Sequence, residues 1–192
     1  MSSNRRIFTI GVFTSVLFLI IFWGTSIVHL ATPLSHHDDI DLEYFIQENN
    51  LSKISSLDFR HLYDTRMFYP HKETLAFGHT GLGQSLMALP IYFITRNVII
   101  SVNIVILIIF FLAFLFSYLF AFHFSKNVSG SLLAGLIYAY SPYMMSSGMQ
   151  FPPLTHFILP LFFRQLVRCV KNLFNGSRKS IRCSLLCYII KI

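Results

Sequence analysis

Charged residues are scarce in this chain, and acidic residues are confined to one stretch of it. Only 12% of the 192 residues are charged, whereas soluble domains carry about 25%. All eight acidic side chains lie between positions 38 and 73. The low charge content excludes an ordinary water-soluble domain. The lack of acidic groups in the apolar runs argues against a transporter with an ion path through its helices.

Several motifs of soluble enzymes are also missing. Gly78, Gly81 and Gly83 follow no strand and no Walker lysine accompanies them, so they do not predict a phosphate-binding loop. Ser, His and acidic residues occur together without a nucleophile elbow, which argues against a hydrolase triad. The net charge of +7 comes from basic residues that flank apolar runs. We therefore interpret the charge as a topology signal and expect no nucleic-acid partner.

Cysteines are few, and they are grouped. Cys169, Cys183 and Cys187 all lie in the last quarter of the chain. The basic residues around them predict a cytoplasmic face, where disulfides are rare. We expect these cysteines to be unpaired. For Cys183 and Cys187, four residues apart without a matching His or Cys cluster, we expect apolar packing, with a zinc site as the alternative.

Long apolar runs are what the chain has instead, with 54% hydrophobic residues and a mean hydropathy of +0.61. About 20 apolar residues span a bilayer as a helix. We expect an all-α integral membrane protein of about four transmembrane helices with a large first extracytoplasmic loop. The predicted segments are a cytoplasmic N-terminus (1–6), spans 7–30, 98–122, 131–146 and 154–170, an extracytoplasmic loop (31–97) and a basic cytoplasmic tail (171–192).

Two of these segments have alternative interpretations. The first run could be a cleaved signal peptide, but the apolar part of a signal peptide is normally about 7–15 residues, which favours a retained helix. Within the loop, apolar positions predict two short amphipathic, interfacial helices, one from Ile40 and one from Leu51 to Leu62. The alternative there is a solvated linker. Residues 86–95 are too few to cross, so they predict an interfacial or re-entrant segment.

The distribution of lysine and arginine fixes the predicted orientation. If residues 86–95 do not cross, ten basic residues lie inside and five outside; if they do, the numbers become three and twelve. Because cytoplasmic loops carry the excess of basic residues, we expect the N-terminus to be cytoplasmic and all the acids external. The predicted location is the plasma (inner) membrane of a bacterium, with several spans.

The external loop has the groups needed to transfer a sugar from a lipid phosphate. Such a donor already has a good leaving group, so transfer needs a carboxylate base and cations that hold the phosphate. The candidate catalytic bases are Asp38, Asp39, Asp41 and Asp64. The candidate partners for the donor phosphate are Arg60, Arg66, His71 and Lys72. The alternative for any single one is that it only solvates the loop.

A metal site is a further candidate in the same loop. His36, His37 and Asp39 have imidazole and carboxylate groups that suit several divalent metals, although adjacent residues cannot all face one ion in regular structure. We expect no other cofactor.

The stretch from Asp64 through Met-Phe-Tyr-Pro-His (67–71), Thr-Leu-Ala-Phe (74–77) and Leu-Gly-Gln (82–84) resembles the first external loop of bacterial polytopic proteins of the glycosyltransferase C superfamily. The resemblance continues through Asn103 and the run Leu133 to Tyr143, and it ends near position 170. These proteins are distant relatives of protein O-mannosyltransferases and lipid A sugar transferases. The resemblance implies a polyprenyl-phosphate sugar donor, an external active site and an acidic catalytic base in the first loop, with Asp39 first and Asp64 second.

The chain also departs from that family. His79-Thr80 stands where relatives often have an acidic residue followed by His, and Met144 stands where they often have Arg. The family has many more spans, so we expect an N-terminal fragment or truncated copy. The predicted function is sugar transfer to an envelope glycan, lipid or protein, by an intact enzyme or as its remnant. The alternative is a non-enzymatic membrane protein that supports envelope assembly.

Overall fold

A computed structural model describes residues 3–34, 38–67, 70–145 and 154–174. In these ranges all regular structure is helical, as expected from the sequence. The α-helices are α1 (Ser3–Val28), α2 (Asp38–Ser55), α3 (Leu82–Thr95), α4 (Val98–Ser125), α5 (Val128–Tyr140) and α6 (Leu154–Phe174). Short 3₁₀ turns lie at Phe59–His61 and Thr74–Phe77, and residues 142–145 add one helical turn after α5.

Helix α4 is the centre of the fold, because each of the other five α-helices packs against it. Its 28 residues are almost entirely apolar. The core forms where α4 meets α1 and α5: the Trp23 and Phe110 rings lie 5.0 Å apart, and the Phe22 and Tyr140 rings stack at 4.5 Å. Among the described residues, α4 is therefore surrounded by side chains from distant parts of the chain.

Two helices are long and apolar enough to cross a membrane, namely Arg5–Val28 within α1 and the whole of α4. At 1.5 Å per residue, α4 is about 42 Å long, which exceeds the roughly 30 Å hydrocarbon core. Helix α5 has 13 residues, or about 20 Å by the same rise, and α3 has 14. Four spans and an interfacial position for residues 86–95 remain predictions.

Two-residue connections join α3 to α4 and α4 to α5. Before each new helix a residue adopts a left-handed conformation, with φ of 53° at Arg96 and 54° at Lys126. The next residue caps the helix: Asn97 accepts a hydrogen bond from the Ile100 N–H, and Asn127 accepts one from the Ser129 N–H. Because asparagine satisfies helix-start N–H groups well, each connection ends one helix and begins the next at once.

Helix α2 differs from the sequence prediction, because it runs without interruption through the first predicted amphipathic segment and into the second, and it ends at Ser55, before the predicted end of the second segment at Leu62. Its buried positions are Glu43, Ile46, Gln47, Asn50, Leu51 and Ile54. Their spacing of three and four residues places them on one face, which packs against α3 and α4. The polar Asn49-Asn50 pair does not interrupt the helix, since Asn50 finds hydrogen-bond partners on the neighbouring segment.

One expectation about cysteine is wrong. Cys169 is buried in α6 and takes part in a disulfide bond, whereas the sequence predicted unpaired thiols; Cys183 and Cys187 lie outside the described residues. The prediction used the charges near the cysteines, which indicate a side of the membrane. They do not determine whether two thiols approach each other.

Candidate functional site

Helix α2 is held to the start of α3 by a buried polar network. The Gln47 amide donates to the Gln84 side-chain oxygen at 2.7 Å and to the Gly81 carbonyl at 3.3 Å. The Asn50 amide donates to the Thr80 carbonyl at 2.7 Å and to Ser85 Oγ at 3.0 Å. Because buried polar groups are costly unless paired, these bonds specify how α2 and α3 pack.

Gly81 is required at this contact for two reasons. Its φ is +58°, in the left-handed region, where side chains with a Cβ are disfavoured. A Cβ added there would also lie 2.6 Å from Gln47 Nε2. The glycine therefore allows the chain to turn into α3 directly beneath α2.

A second polar contact ties α2 to α4 and to the end of α1. The Tyr44 hydroxyl donates to the Asn103 side-chain oxygen. The Asn103 amide in turn donates to the Leu30 and Thr32 carbonyls, each at 2.8 Å. Burial raises the pKa of Tyr44 to about 12. Tyr44 therefore remains a neutral hydroxyl and anchors the first residues after α1.

Between these two contacts lies the pair Glu43 and His79. Glu43 is 8% exposed, and its Oε1 lies 3.2 Å from His79 Nε2. Apart from this contact with His79, neither carboxylate oxygen has a partner among the described residues. Desolvation by burial raises the pKa of Glu43 to about 7, and it lowers the pKa of His79. Near neutral pH the carboxyl can therefore gain or lose a proton while the imidazole stays neutral.

The two members of this pair differ in accessibility. The side chain of His79 is 36% exposed and that of Glu43 is 10% exposed, and both Glu43 carboxylate oxygens are buried. A molecule in solution can reach the imidazole but not the carboxyl behind it. This is the arrangement of an exposed base oriented by a buried acid.

Three of the four predicted bases lie close to Glu43 on α2, and of these three only Asp41 has a described side chain. Asp38 and Asp39 are the first residues of α2, and their side chains lie outside the described part. Asp39 precedes Glu43 by four residues, which is one turn of the helix. Asp41, also considered as a base, is exposed.

Asp64, the other predicted base, has a structural contact. Its Oδ1 accepts the Glu73 N–H at 2.7 Å, and its main-chain carbonyl accepts a hydrogen bond from Lys53 Nζ. The adjacent Thr65 and Thr74 hydroxyls lie 2.8 Å apart. Asp64 therefore closes the loop between positions 64 and 73.

The predicted phosphate ligands Arg60, Arg66, His71 and Lys72 are all exposed. In the described ranges, none of them hydrogen-bonds or pairs with a carboxylate. Their role in binding a donor phosphate stays a prediction.

The predicted metal ligands fall outside the described side chains. His36 and His37 lie in the undescribed segment 35–37, and only the backbone of Asp39 is described. Among side chains that the structure does describe, no three of the His, Cys, Asp or Glu type are grouped as metal ligands would be.

Sequence reasoning missed Glu43 and His79 as a pair. One available signal was the spacing of Glu43, Ile46, Gln47 and Asn50, which places a carboxylate on the apolar and amide-bearing face of α2. The approach of His79 had no such signal, because it depends on how α2 and α3 pack.

No family model, curated protein or solved structure matches this chain. The resemblance to the glycosyltransferase C superfamily therefore stays a prediction.

Proposed function

We propose that this chain is a membrane glycosyltransferase that moves a sugar from a polyprenyl-phosphate donor to an envelope acceptor on the outer face of a bacterial plasma membrane. The observation that supports this proposal best is the Glu43–His79 pair, a buried carboxyl with a pKa of about 7 beside a partly exposed imidazole. Perturbed acids of this kind are found preferentially at functional sites.

The proposed topology places the pair on the donor side of the membrane. All acidic side chains lie between α1 and α4, the two helices that could span. With residues 86–95 interfacial and two further spans at 131–146 and 154–170, basic residues concentrate on the cytoplasmic side. Helices α2 and α3 then lie at the outer surface.

In the proposed reaction His79 is the general base. The acceptor hydroxyl gives its proton to the imidazole while its oxygen bonds to the sugar carbon. The bond from that carbon to the phosphate oxygen breaks, and the lipid phosphate leaves with the electron pair. Glu43 is a positioning residue: it orients the ring through Nε2 and, when ionised, stabilises the imidazolium that forms. Asp39, one turn earlier on α2, is the alternative base.

Cations would hold the donor on the same surface. The exposed side chains of Arg60, Arg66, His71 and Lys72 suit a phosphate, since charge-assisted hydrogen bonds to phosphate oxygens are strong. A divalent metal held by His36, His37 and Asp39 would be an additional means of neutralising the phosphate charge.

The test is transfer by the purified full chain, reconstituted in vesicles with radiolabelled undecaprenyl-phosphate hexose or pentose and a membrane acceptor fraction. His79→Gln should lower transfer by roughly 10²–10⁴-fold, the usual contribution of a general base. Wild-type transfer should rise with pH through about 7, because Glu43 must be ionised. Glu43→Gln should be slower and lose that pH dependence, and Glu43→Asp should recover part of it.

Glu48→Gln is the matched control, because Glu48 is an exposed carboxylate on the same helix. Its transfer rate and pH profile should equal those of wild type. Unchanged transfer in His79→Gln would refute His79 as the base. In that case loss of transfer in Asp39→Asn or Asp64→Asn would assign the base to one of the acids predicted from sequence.

The second candidate is a non-enzymatic membrane protein that supports envelope assembly. It is favoured by the wide apolar surface of α1, where Phe13 is 70% exposed and Ile21 is 62% exposed. Such a surface fits lipid or the helix of a partner. This function predicts that a Phe13→Ala, Ile21→Ala variant loses a membrane partner in crosslinking, while the His79 and Glu43 variants behave as wild type.

A further inference from the structure

At the opposite end of α4 from the Glu43–His79 pair lies a cavity of about 470 Å³. It is formed where the start of α1, the end of α4 and α6 meet. Four basic side chains line it, namely His123, Lys126, Arg164 and Arg168. These residues come from two helices and a connection, so only the fold brings them together.

None of the described residues that line the cavity has a carboxylate side chain. The eight acidic residues all lie between positions 38 and 73, in α2 and the segment that follows it. Arg164 and Arg168 are one turn apart on α6, where like charges repel each other. The Nε of Arg164 is buried and has no hydrogen-bond partner among the described residues. Arg164 is partly buried and Arg168 is exposed, but a buried N–H without a partner is unfavourable, so this arrangement favours an anion.

The remaining wall of the cavity is apolar. Ile7, Phe116, Leu119 and Phe122 line it beside the cations, and the Lys126 ammonium lies 5.8 Å from the Phe122 ring centre. A small soluble anion would gain no binding energy from contact with an apolar wall. A ligand with a phosphate and an acyl chain can contact both kinds of surface at once.

The position of the cavity agrees with such a ligand. It lies at the ends of α1 and α4, the two helices that could cross a membrane. If α1 and α4 cross, these ends lie at the depth of lipid headgroups. Arg5 and Arg6 directly precede Ile7, which lines the cavity. Basic pockets between helices on the cytoplasmic side bind acidic lipid headgroups.

We infer that this cavity binds the phosphate headgroup of an anionic phospholipid of the inner leaflet, with Arg164 and Arg168 as its main ligands. The inference depends on α1 and α4 crossing the membrane and not on glycosyl transfer. Lipid binding can therefore fail while transfer succeeds, and the reverse.

The experiment measures lipid bound to the purified full chain in mild detergent by native mass spectrometry, during titration with dioleoyl phosphatidylglycerol or dioleoyl phosphatidylcholine. Wild type should retain the anionic lipid in preference to the zwitterionic one. Arg164→Gln with Arg168→Gln should weaken phosphatidylglycerol binding by roughly 25-fold, or about fivefold per arginine, which corresponds to about 1 kcal/mol each. Replacement of both by lysine should keep most of the preference.

The matched control is Arg96→Gln, which removes one positive charge from an exposed two-residue connection outside the cavity, as Lys126→Gln does at the edge of the cavity; its lipid binding should equal that of wild type. If the glutamine pair at 164 and 168 does not fold, Lys126→Gln at the exposed edge of the cavity should still lower the affinity about fivefold. Equal binding of the two lipids, or an equal loss in the control, would overturn the inference. Displacement of phosphatidylglycerol by inorganic phosphate would overturn it too, since the site would then take a soluble anion.

Discussion

The buried carboxyl of Glu43 makes a quantitative prediction about stability and pH. Its pKa is raised from 4.5 to about 7 in the folded chain by desolvation. The folded chain therefore accommodates protonated Glu43 at a lower free-energy cost than ionised Glu43. The stability associated with protonation is fully present below pH 4.5 and is lost as pH rises through about 7. A shift of this size corresponds to roughly 3 kcal/mol of unfolding free energy.

Glu43→Gln removes the titration and keeps a similar shape. We expect wild type and variant to have similar unfolding free energies near pH 4.5, and the variant to become more stable by up to about 3 kcal/mol at pH 8. His79 contributes in the opposite direction, because its lowered pKa makes stability rise with pH through its usual range. Both proteins contain His79, so the difference between them reports mainly Glu43.

The assay is chemical denaturation of the purified chain in mild detergent at several pH values between 4.5 and 8, followed by circular dichroism. Glu48→Gln, an exposed carboxylate on the same helix, is the control and should show a much smaller change with pH. A difference between wild type and Glu43→Gln that stays constant across this range would refute the assignment of a buried, titrating carboxyl.

Two further predictions concern the packing of α2 and the topology. Gly81→Ala should lower the free energy of unfolding by about 1–3 kcal/mol, because the left-handed φ of Gly81 and the nearby Gln47 amide leave no place for a methyl group. Gly78→Ala is the control: Gly78 has open space around it, so this variant should change the free energy of unfolding little in the same denaturation assay. Reporter fusions after positions 60, 127, 150 and 175 should report outside, inside, outside and inside, and a reversed pattern beyond position 97 would contradict the orientation predicted from basic residues.

The sequence predicted the elements whose structure depends on their own residues. The runs 7–30 and 98–122 indicated long apolar helices, and α1 and α4 are long apolar helices. A continuous apolar helix satisfies its backbone hydrogen bonds internally, so it can be predicted from its own residues without knowledge of its neighbours. The length of helix α2 was harder to predict, because its Asn49-Asn50 pair suggests a helix end. The hydrogen bonds from Asn50 to Thr80 and Ser85, which allow the helix to continue, appear only in the structure.

The candidate site was predicted only as a region. Composition identified positions 38–73 as the only acidic stretch, but it could not distinguish Asp39 or Asp64 from Glu43. The distinction depends on burial, which the facing helix determines. Asp64 has a hydrogen-bond donor in Glu73 N–H, whereas the oxygens of Glu43 have only the contact with His79 among the described residues. Burial correspondingly raises the pKa of Glu43.

The sequence by itself predicted an all-α fold, which the described residues have, and the long apolar helices α1 and α4 with all the acids between them. Apolar length and residue counts are properties of the chain alone. Only the tertiary structure decided that Glu43 meets His79 and that Lys126 and Arg164 share a cavity with Ile7. Those contacts join residues that are tens to more than a hundred positions apart. Residues so far apart in sequence come into contact only when α4 packs against its neighbours. The raised pKa of Glu43 and the unpaired Arg164 Nε follow from that packing.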